Sequence, residues 1–600
     1  MPGRNMDFPL SEKKWLLRQL PTDITETQVK KIARDAGIPE TIVTLLIHRG
    51  VSDKRNIKDF LNPSLHELPR PHLMKGMNEA VSILLGALKF QQPVTVFGDF
   101  DADGVTATAV LSQFFKELGV PSHSYIPDRM REGYGLHIKA VRKIFDHNMQ
   151  QWGEAGVLLT ADCGISDTDV VSAAKNLGFR VIITDHHKPP NELPQADAIL
   201  NPLQPGCTFP CKHLAGVGVA FYLILGLRSE LITYGHWPEN KIPNLKLYMD
   251  LVAIGTVADQ VPVTGCNRII VKSGLEILNQ ANRVGLQKLL DNAKNSNTDV
   301  TVEDIAFRLA PRINAIGRIG SAGKAVKLMT TNFPEEAQQF AEELEAANNS
   351  RKSIEADIFT EAASMVSPET LDTAHSLVLF KNDWHQGVLG IVASRLSDQF
   401  YRPVILLTDS TQDDSGEAQK LVKGSGRSIE GIDIHEAVSS CQEMLQRFGG
   451  HAGAVGLTLP ADNITSFRHR FDAFIGAQSG KDTFSPSLLI DMQTTLNELA
   501  DQKFLAAFIS LAPFGAGFPE PIFCMRSQKL SKPRLVGTNH LRFSIMENGK
   551  SINGIGFGFG KLVAASQKGV MDLAFTLRLN SYMGQEKWQL NVVDLRPSIA

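Results

Sequence analysis

Between residues 93 and 260 the chain repeats one pattern: a short apolar run, an acidic residue at its end, then an amphipathic stretch. "PVTVFGD" leads to "GVTATAVLSQFFKELG", "GVLLTAD" leads to "SDTDVVSAAKNLG", and "RVIITD" follows directly. Short runs of β-branched and aliphatic residues bounded by Gly, Pro and Asp read as strands, and apolar residues recurring every three or four positions read as helices. Strands that alternate with helices are joined by crossovers, so they lie parallel in one sheet with both faces covered. This excludes an all-helical or all-β fold for the region.

In an open parallel sheet, ligands collect beyond the carboxyl ends of the strands, which is where the acids of this chain fall. In "GDFDADG", Asp99, Asp101 and Asp103 alternate, and residues two apart in an extended segment share a face. Asp162 ends the second run, Asp185-His186-His187 ends the third, and Asp259 in "LVAIGTVADQVP" follows another apolar run. Carboxylates crowded into a partly buried crevice repel each other unless cations lie between them. Carboxylates mixed with imidazoles suit Mn²⁺ or Mg²⁺ better than a thiolate-type zinc site. There are ligands enough for two ions about 3.5–4 Å apart, the arrangement that hydrolyses phosphoesters. A single acid at a strand end is usually a turn or a helix cap. Coincidence across several neighbouring strand ends makes the pattern specific.

Two other motifs carry less. "CTFPCKH" (207–213) gathers Cys207, Cys211 and His213, but no second cysteine pair stands at a suitable distance, and Cys266 alone does not complete a tetrahedron. It reads as a loop with buried thiols. "GVGVA" (216–220) reads as helix packing rather than a phosphate-cradling turn.

Six hundred residues are too many for one core, so several domains are expected. We expect a helical cap over 1–70, packed on the sheet, and an α/β catalytic domain over 71–332. "FPEEAQQFAEELEAANNSRKSIEADIFTEAASMV" predicts one long, mostly solvated helix over 333–366. A second α/β domain is expected over 367–475. Over 476–600 the short strands and Gly and Asn turns predict a small β-barrel. Residues 521–600 hold eleven Lys and Arg against four Asp and Glu, a local +7, so a net charge of −3 leaves −10 on the remainder. A basic terminal module on an acidic body suits a nucleic acid, with Phe543, Phe557, Tyr582 and Trp588 as stacking candidates. No apolar run approaches the roughly 20 residues of a membrane helix, and the start lacks the apolar core of a secretory signal. Six cysteines in so long a chain do not make a disulfide framework, so no membrane partner and a cytoplasmic setting are expected.

The motifs "GDFDADG", "TADCG", "TDHH" and "GTVADQV", in this order, resemble the DHH phosphoesterase superfamily. Within it the chain is most similar to the RecJ family of single-strand-specific 5′→3′ DNA exonucleases. The resemblance runs from "LLIHRGVSDKRNIKDFLNPSL" through "YIPDRMREGYGL", "FRLAPRINAIGRIG", "GSGRS" and "GGHAGAVGLTL" to "PFGAGFPEPIF". It implies an α/β fold: a parallel-sheet DHH domain and a second α/β, DHH-associated domain joined by the long helix, followed by an OB-like β-barrel. It implies two divalent cations, Mn²⁺ or Mg²⁺, on Asp101, Asp103, Asp162, His186 and Asp259, with Asp103 or Asp162 bridging. His187 would act at the scissile phosphate, and Asp185 would orient an imidazole or cap the turn. Arg129, Arg312 and Arg318, with Ser425, Arg427 and His451 of the second domain, would hold single-stranded DNA. Partners implied by the resemblance are single-strand-binding protein and a RecQ-type helicase, in recombination and repair, with the chain a monomer. Two positions depart from the pattern. Phe97 stands where the pyrophosphatase branch has a histidine ligand, and Phe518 where RecJ-like proteins usually have Asn. A short-oligonucleotide or cyclic-dinucleotide phosphodiesterase of the same superfamily and a non-catalytic binding module are the alternative readings. Length and the basic barrel oppose the first, and the five proposed ligands oppose the second.

Overall fold

The computed structural model describes residues 13–598, apart from 129–131, 133–134, 234, 236–241, 281, 294–298, 411–419, 481–482 and 583–584. It divides into two compact units, one of Leu17–Ala347 with Leu489–Ala600, the other built on Asn348–Leu488.

The first unit opens with three short helices, α1 (Glu26–Ala36), α2 (Glu40–His48) and α3 (Lys54–Leu61). A sheet follows: β1 (Val94–Gly98), β2 (Ser122–Tyr125), β3 (Val157–Ala161), β4 (Arg180–Thr184) and β5 (Ala198–Leu200). The strand order is β2-β1-β3-β4-β5, and every pair is parallel. Both β1 and β3 are buried along their whole length, which is why they appear in the sequence as unbroken apolar runs. The chain leaves β1 for the edge at β2, then returns to the other side of β1 at β3. The strand order therefore reverses between β1 and β3, and an open crevice forms beyond their carboxyl ends.

The helices α4 (Ala102–Glu117) and α5 (Ile138–Trp152) cover opposite faces of this sheet. Phe114 of α4 shares a core with Val94 and Val96, whereas Ile144 of α5 shares one with Phe97 and Leu158. Behind α4 lie α6 (Gly216–Thr233), α7 (Met249–Ala258), α8 (Gly265–Asn279) and α9 (Ala310–Ile319). Apolar on nearly every side, α6 is a core helix: Val219, Tyr222, Leu223 and Leu227 are fully buried. Cys211, in the loop before α6, is joined to Cys266 at the start of α8, with Cα atoms 6.2 Å apart. The loop is thus not a pair of buried thiols. The fold brings its second cysteine against α8, where Asn267 Nδ2 also donates to His213 O at 2.6 Å.

A long helix, α10 (Pro334–Ser364), is shared by the two units. It is less solvated than its charges imply. Ala337, Ala341 and Leu344 are buried in the core of the first unit, and Ile358 and Ala362 in that of the second. The second unit holds β6 (Leu377–Phe380), α11 (Leu389–Phe400), β7 (Val404–Asp409), β8 (Leu421–Arg427), β9 (Arg447–His451) and β10 (Ala454–Pro460). Their order is β9-β10-β8-β7-β6; only β6 and β7 run parallel.

The chain then re-enters the first unit as β11 (Met492–Gln493), β12 (Phe523–Gln528), β13 (Ser531–Val536), β14 (His540–Glu547), β15 (Lys550–Phe557), β16 (Met571–Tyr582) and β17 (Gln585–Pro597). They form one seven-stranded sheet in the order β11-β12-β16-β17-β15-β14-β13. Of the stacking candidates, Phe543 is buried and fills the space over Gly554, and Trp588 packs edge-on against Phe508. Phe557 is 58% exposed. The side chain of Tyr582 lies outside the described residues.

The N-terminal helices are not a cap on the parallel sheet. Val29, Ile42, Leu46 and Ile57 share one core with Leu496, Phe504, Phe523 and Phe575 of the C-terminal region. The apolar faces of α1–α3 are buried against the one-sided sheet that comes about 450 residues later, which needs a cover for its inner face. Ion pairing fixes the seam: Arg49 makes a two-pronged contact with buried Asp491, at 2.7 and 3.0 Å.

Arg268 of α8 is a second tie. It is fully buried and stacks over Phe60 at 3.8 Å. It donates to the carbonyls of Phe60, Leu511, Ala512 and Pro513 at 2.8–2.9 Å. Burial lowers its pKa to about 10, so it remains charged at neutral pH. Truncation would leave several buried carbonyls unpaired. Arg268→Met, which keeps most of the volume, is expected to destabilise this unit by about 3 kcal/mol, read as a lowered urea midpoint, with Arg268→Lys intermediate.

Candidate metal centre and substrate face

Beyond β1 the chain turns into α4, and Asp101 caps that helix: its Oδ1 accepts the N–H groups of Asp103 and Gly104 at 3.0 and 3.1 Å. Asp103, in the first turn, is 1% exposed and accepts from the N–H groups of Gly216 and Val217, at 2.6 and 2.8 Å. The start of α6 therefore aims its unpaired amides at a carboxylate. The "GVGVA" segment is more than helix packing. A Cβ at Gly216 would lie 2.4 Å from Asp162 Oδ1, so no other residue fits that approach.

Asp162 follows β3 with φ of 66°, a left-handed conformation that non-glycine residues seldom adopt. Its N–H still bonds Thr184 O at 2.9 Å, and the turn swings the carboxylate into the crevice. Strain of this kind persists where the surroundings over-determine it. Asp259 caps the C-terminus of α7. His186, after β4, places Nε2 3.1 Å from Asp162, 3.6 Å from Asp259 and 3.8 Å from Asp103.

Three sets of donor atoms each lie within 4.8 Å of one another: Asp103, His186 and Asp259; Asp99, Asp101 and Asp162; Asp162, His186 and His187. All five residues expected to bind metal from the sequence converge here. Asp99 joins them, and its only signal was the alternation of "GDFDADG". Asp162 and His186 each belong to two of the sets. Asp162 Oδ1 and His186 Nε2 are buried without a hydrogen-bond partner, and no Lys or Arg pairs with Asp103, Asp162 or Asp259 among the described residues. Burial, then the charges of neighbouring aspartates, drive the Asp103 and Asp162 carboxyls well above their ordinary range, and Asp259 up to about 7. Burial and the adjacent His187 hold His186 down to about 4. Protonation is the carboxylates' response when nothing positive lies between them. Divalent cations fit this donor set.

Asp185 faces the other way. Its Oδ1 accepts from the N–H groups of His186 and His187 and from His187 Nδ1 at 2.7 Å, and its Oδ2 from Ile165 N–H. That bond pushes the half-exposed His187 up to about 9, and its ring stands beside the crevice, 4.0 Å from Asp162.

"PRINAIGR" forms α9 and seats the metal loop. Asn314 Oδ1 accepts from Ala102 N–H at 2.7 Å, and a Cβ at Gly317 would lie 2.5 Å from Phe100 O. Sequence reasoning missed both residues and credited the arginines instead. Arg312 is buried and engaged with Glu345 and the Arg308 carbonyl, so its guanidinium is not presented to a 5′-phosphate. Arg318, a turn and a half further along α9, is half-buried. Arg129 lies outside the described residues.

In the second unit the register pairs Arg427 with Ala454 and Ala454 with His451, so Arg427 and His451 share one face of the sheet. One row along, Ser425 pairs with Gly456 and Gly456 with Gly449, and a Cβ at either glycine would meet nothing within 4 Å. The start of α11 comes close: a Cβ at Gly390 would lie 2.9 Å from both Arg427 Nη2 and Ser425 Oγ. The arrangement is an open polar face with a guanidinium, a hydroxyl, an exposed imidazole and a helix N-terminus, all donors suited to phosphate.

Comparison with known proteins matches these divisions. Residues 93–256 match the DHH family N-terminal domain, 373–477 the DHHA1 domain, and 490–594 the RecJ OB domain. The single-stranded-DNA-specific exonuclease RecJ of Haemophilus influenzae is 35% identical over 90% of this chain and 94% of its own. The chain belongs to the RecJ family. Crystal structures of RecJ from Thermus thermophilus superpose over 98% of this chain. The Mn²⁺ complex has a TM-score of 0.81 at 29% identity over 80% of its chain. The Mg²⁺ complex has 0.74 at 28% over 79%. The DHH, DHHA1 and RecJ OB domain models thus match in this order along the chain.

Because Asp162 contributes to two of the three donor sets, its loss is expected to weaken ion binding at both. Equilibrium dialysis with Mn²⁺ should find two tight ions per chain, and Asp162→Ala should retain neither at the same free concentration.

Proposed function

We infer that the chain is a single-stranded-DNA-specific exonuclease, a metal-dependent phosphoesterase, and that it removes nucleotides from the 5′ end. The observation that carries this is the convergence of seven acid and imidazole side chains on one crevice around Asp162 in a member of the RecJ family.

Mn²⁺ or Mg²⁺ would be held by Asp103, His186 and Asp259 at one position and by Asp99 and Asp101 at the other, with Asp162 between them. Bound there, the cations supply a lowered water pKa and neutralise phosphate charge. The chain's own residues supply the rest. Asp101 and Asp103 are pre-oriented by main-chain N–H groups, so little reorganisation is needed as charge develops. His187, held by Asp185, would donate a hydrogen bond or proton to the scissile phosphate. Ser425, Arg427 and His451 would grip phosphates of the strand, and Arg318 and Arg129 its 5′ end; Arg312 serves packing instead. Single-strand-binding protein and a RecQ-type helicase remain the partners expected from the family resemblance.

Asp162→Ala should lower kcat by about a thousandfold or more while strand affinity survives. Hydrolysis of 5′- and 3′-labelled single and double strands, with Mn²⁺, Mg²⁺ or chelator, measures this and the polarity together. Brisk cleavage of dinucleotides with indifference to long strands would instead favour a short-oligonucleotide phosphodiesterase. Arg427→Ala should weaken single-strand binding about tenfold and reduce the slope of log affinity against log salt by about one, measured by fluorescence anisotropy; an unchanged slope removes Arg427 from the phosphate contacts.

A further inference from the structure

The parallel sheet ends on β2, which pairs with β1 and has no strand on its other side among the described residues. Val94 N–H donates to Pro121 O at 2.9 Å. By the alternation of a strand, Pro121, His123 and Tyr125 turn their main-chain groups toward β1, and Ser122 and Ser124 turn theirs outward. A groove of about 620 Å³ runs along this edge. Gly119–Ser124 form its floor, Ser112 and Lys116 of α4 one wall, and Trp152 of α5 the other. The two helices cover opposite faces of the sheet, so the groove opens between the layers, where a further strand would lie.

Aromatic, hydroxyl and ammonium side chains line the groove. On the α5 side, the His123 ring packs at a tilt against His147 and Trp152, with ring centroids 4.5 and 5.7 Å away. On the α4 side, Ser112 Oγ is shielded and has no hydrogen-bond partner. Lys116 is exposed, makes no ion pair among the described residues, and no Asp or Glu lines the groove. The groove lies toward the amino ends of the strands, away from the metal crevice, so an occupant leaves the active site open.

We propose that the β2 edge is a docking site for an extended acidic peptide of a protein partner, which adds as a sixth strand, sets a carboxylate on Lys116 and an apolar side chain against Trp152. Edge-strand addition draws its affinity from main-chain hydrogen bonds and its specificity from side-chain pockets, and both are present here. The paired stretch is about four residues, or about 13 Å. A nucleic-acid strand fits less well. One lysine is a small counterweight to a polyanion, and outward main-chain groups at peptide spacing have no partners on a sugar-phosphate backbone.

The test uses the full chain and fluorescein-labelled peptides of about eight residues that alternate glutamate with valine or phenylalanine. A control peptide carries proline at alternate positions, and a labelled oligothymidylate is run beside them. Anisotropy should show the acidic peptide binding and the proline control failing. Ser124→Pro removes one outward N–H without touching the β1 ladder, and should weaken the peptide at least about tenfold. Lys116→Glu, at an exposed position that any fold tolerates, should do likewise and carries the test should Ser124→Pro misfold. Hydrolysis of single strands should be unchanged in Lys116→Glu. The proposal is overturned if the acidic peptide binds no better than the control, or if both variants leave its affinity intact. It also falls if Lys116→Glu costs only oligothymidylate affinity, which would assign the groove to nucleic acid.

Discussion

Mutual repulsion among buried carboxylates at the crevice between β1 and β3 is the constraint around which the first unit is arranged. Asp103 and Asp162 are almost wholly removed from water and aimed at one imidazole nitrogen, without a lysine or arginine to offset them among the described residues. Desolvated like charges at such distances cost several kcal/mol unless neutralised by protons or cations. Divalent cations placed among these donors would relieve that cost. Main-chain dipoles supply part of the compensation in advance, from the start of α6 to Asp103 and from the start of α4 to Asp101. These amides fix the carboxylates' orientation as well as their charge. The left-handed turn at Asp162 is the local strain that this arrangement demands.

The candidate metal ligands and the open polar face stand on different kinds of support. The candidate metal ligands come from strand ends and helix termini, and Asp101 and Asp103 are held there by main-chain N–H groups. The second unit's Ser425, Arg427 and His451 stand on a sheet face whose glycines leave the surface open. Rigid positioning suits a reacting phosphorus, for which small displacements are costly.

Much of this was legible in the sequence because period and position carried it. β1, β3 and β4 appear as apolar runs since a buried parallel strand has no polar face to interrupt it, and their terminal acids point to the crevice by topology alone. What escaped was long-range. Nothing local in "ETIVTLLIH" shows that Ile42 and Leu46 meet Phe504 and Phe523, because amphipathicity says that a face is buried and not against what. Arg312 and Asn314 sit two apart in one motif. Residue type alone favoured the arginine for phosphate, while the fold gave it Glu345 as a partner and gave the asparagine the metal loop. Cys211 and Cys266 are 55 residues apart, so their pairing is invisible to spacing rules.

Phe518, the departure in the "PFGAGF" turn, shows how the remote region bears on the metal centre. Its ring lies 4.6 Å from Phe60 and 4.8 Å from the Arg49 guanidinium, and Arg268 holds the carbonyls just ahead of the turn. The turn in turn braces the segment after Asp259. Val263 N–H donates to Ala516 O at 2.7 Å, and Cβ atoms at Gly515 and Gly517 would lie 2.6 and 2.7 Å from Val263 and Pro262. Asp259 is one residue beyond the end of α7, with no strand behind it, so its position depends on how Pro262 and Val263 are anchored. An asparagine at 518 could hold such a turn by side-chain hydrogen bonds. Here an aromatic ring locks it into the seam between the N-terminal helices and the C-terminal sheet. The position of Asp259, a candidate metal ligand, therefore depends on packing between the N-terminal helices and the C-terminal sheet.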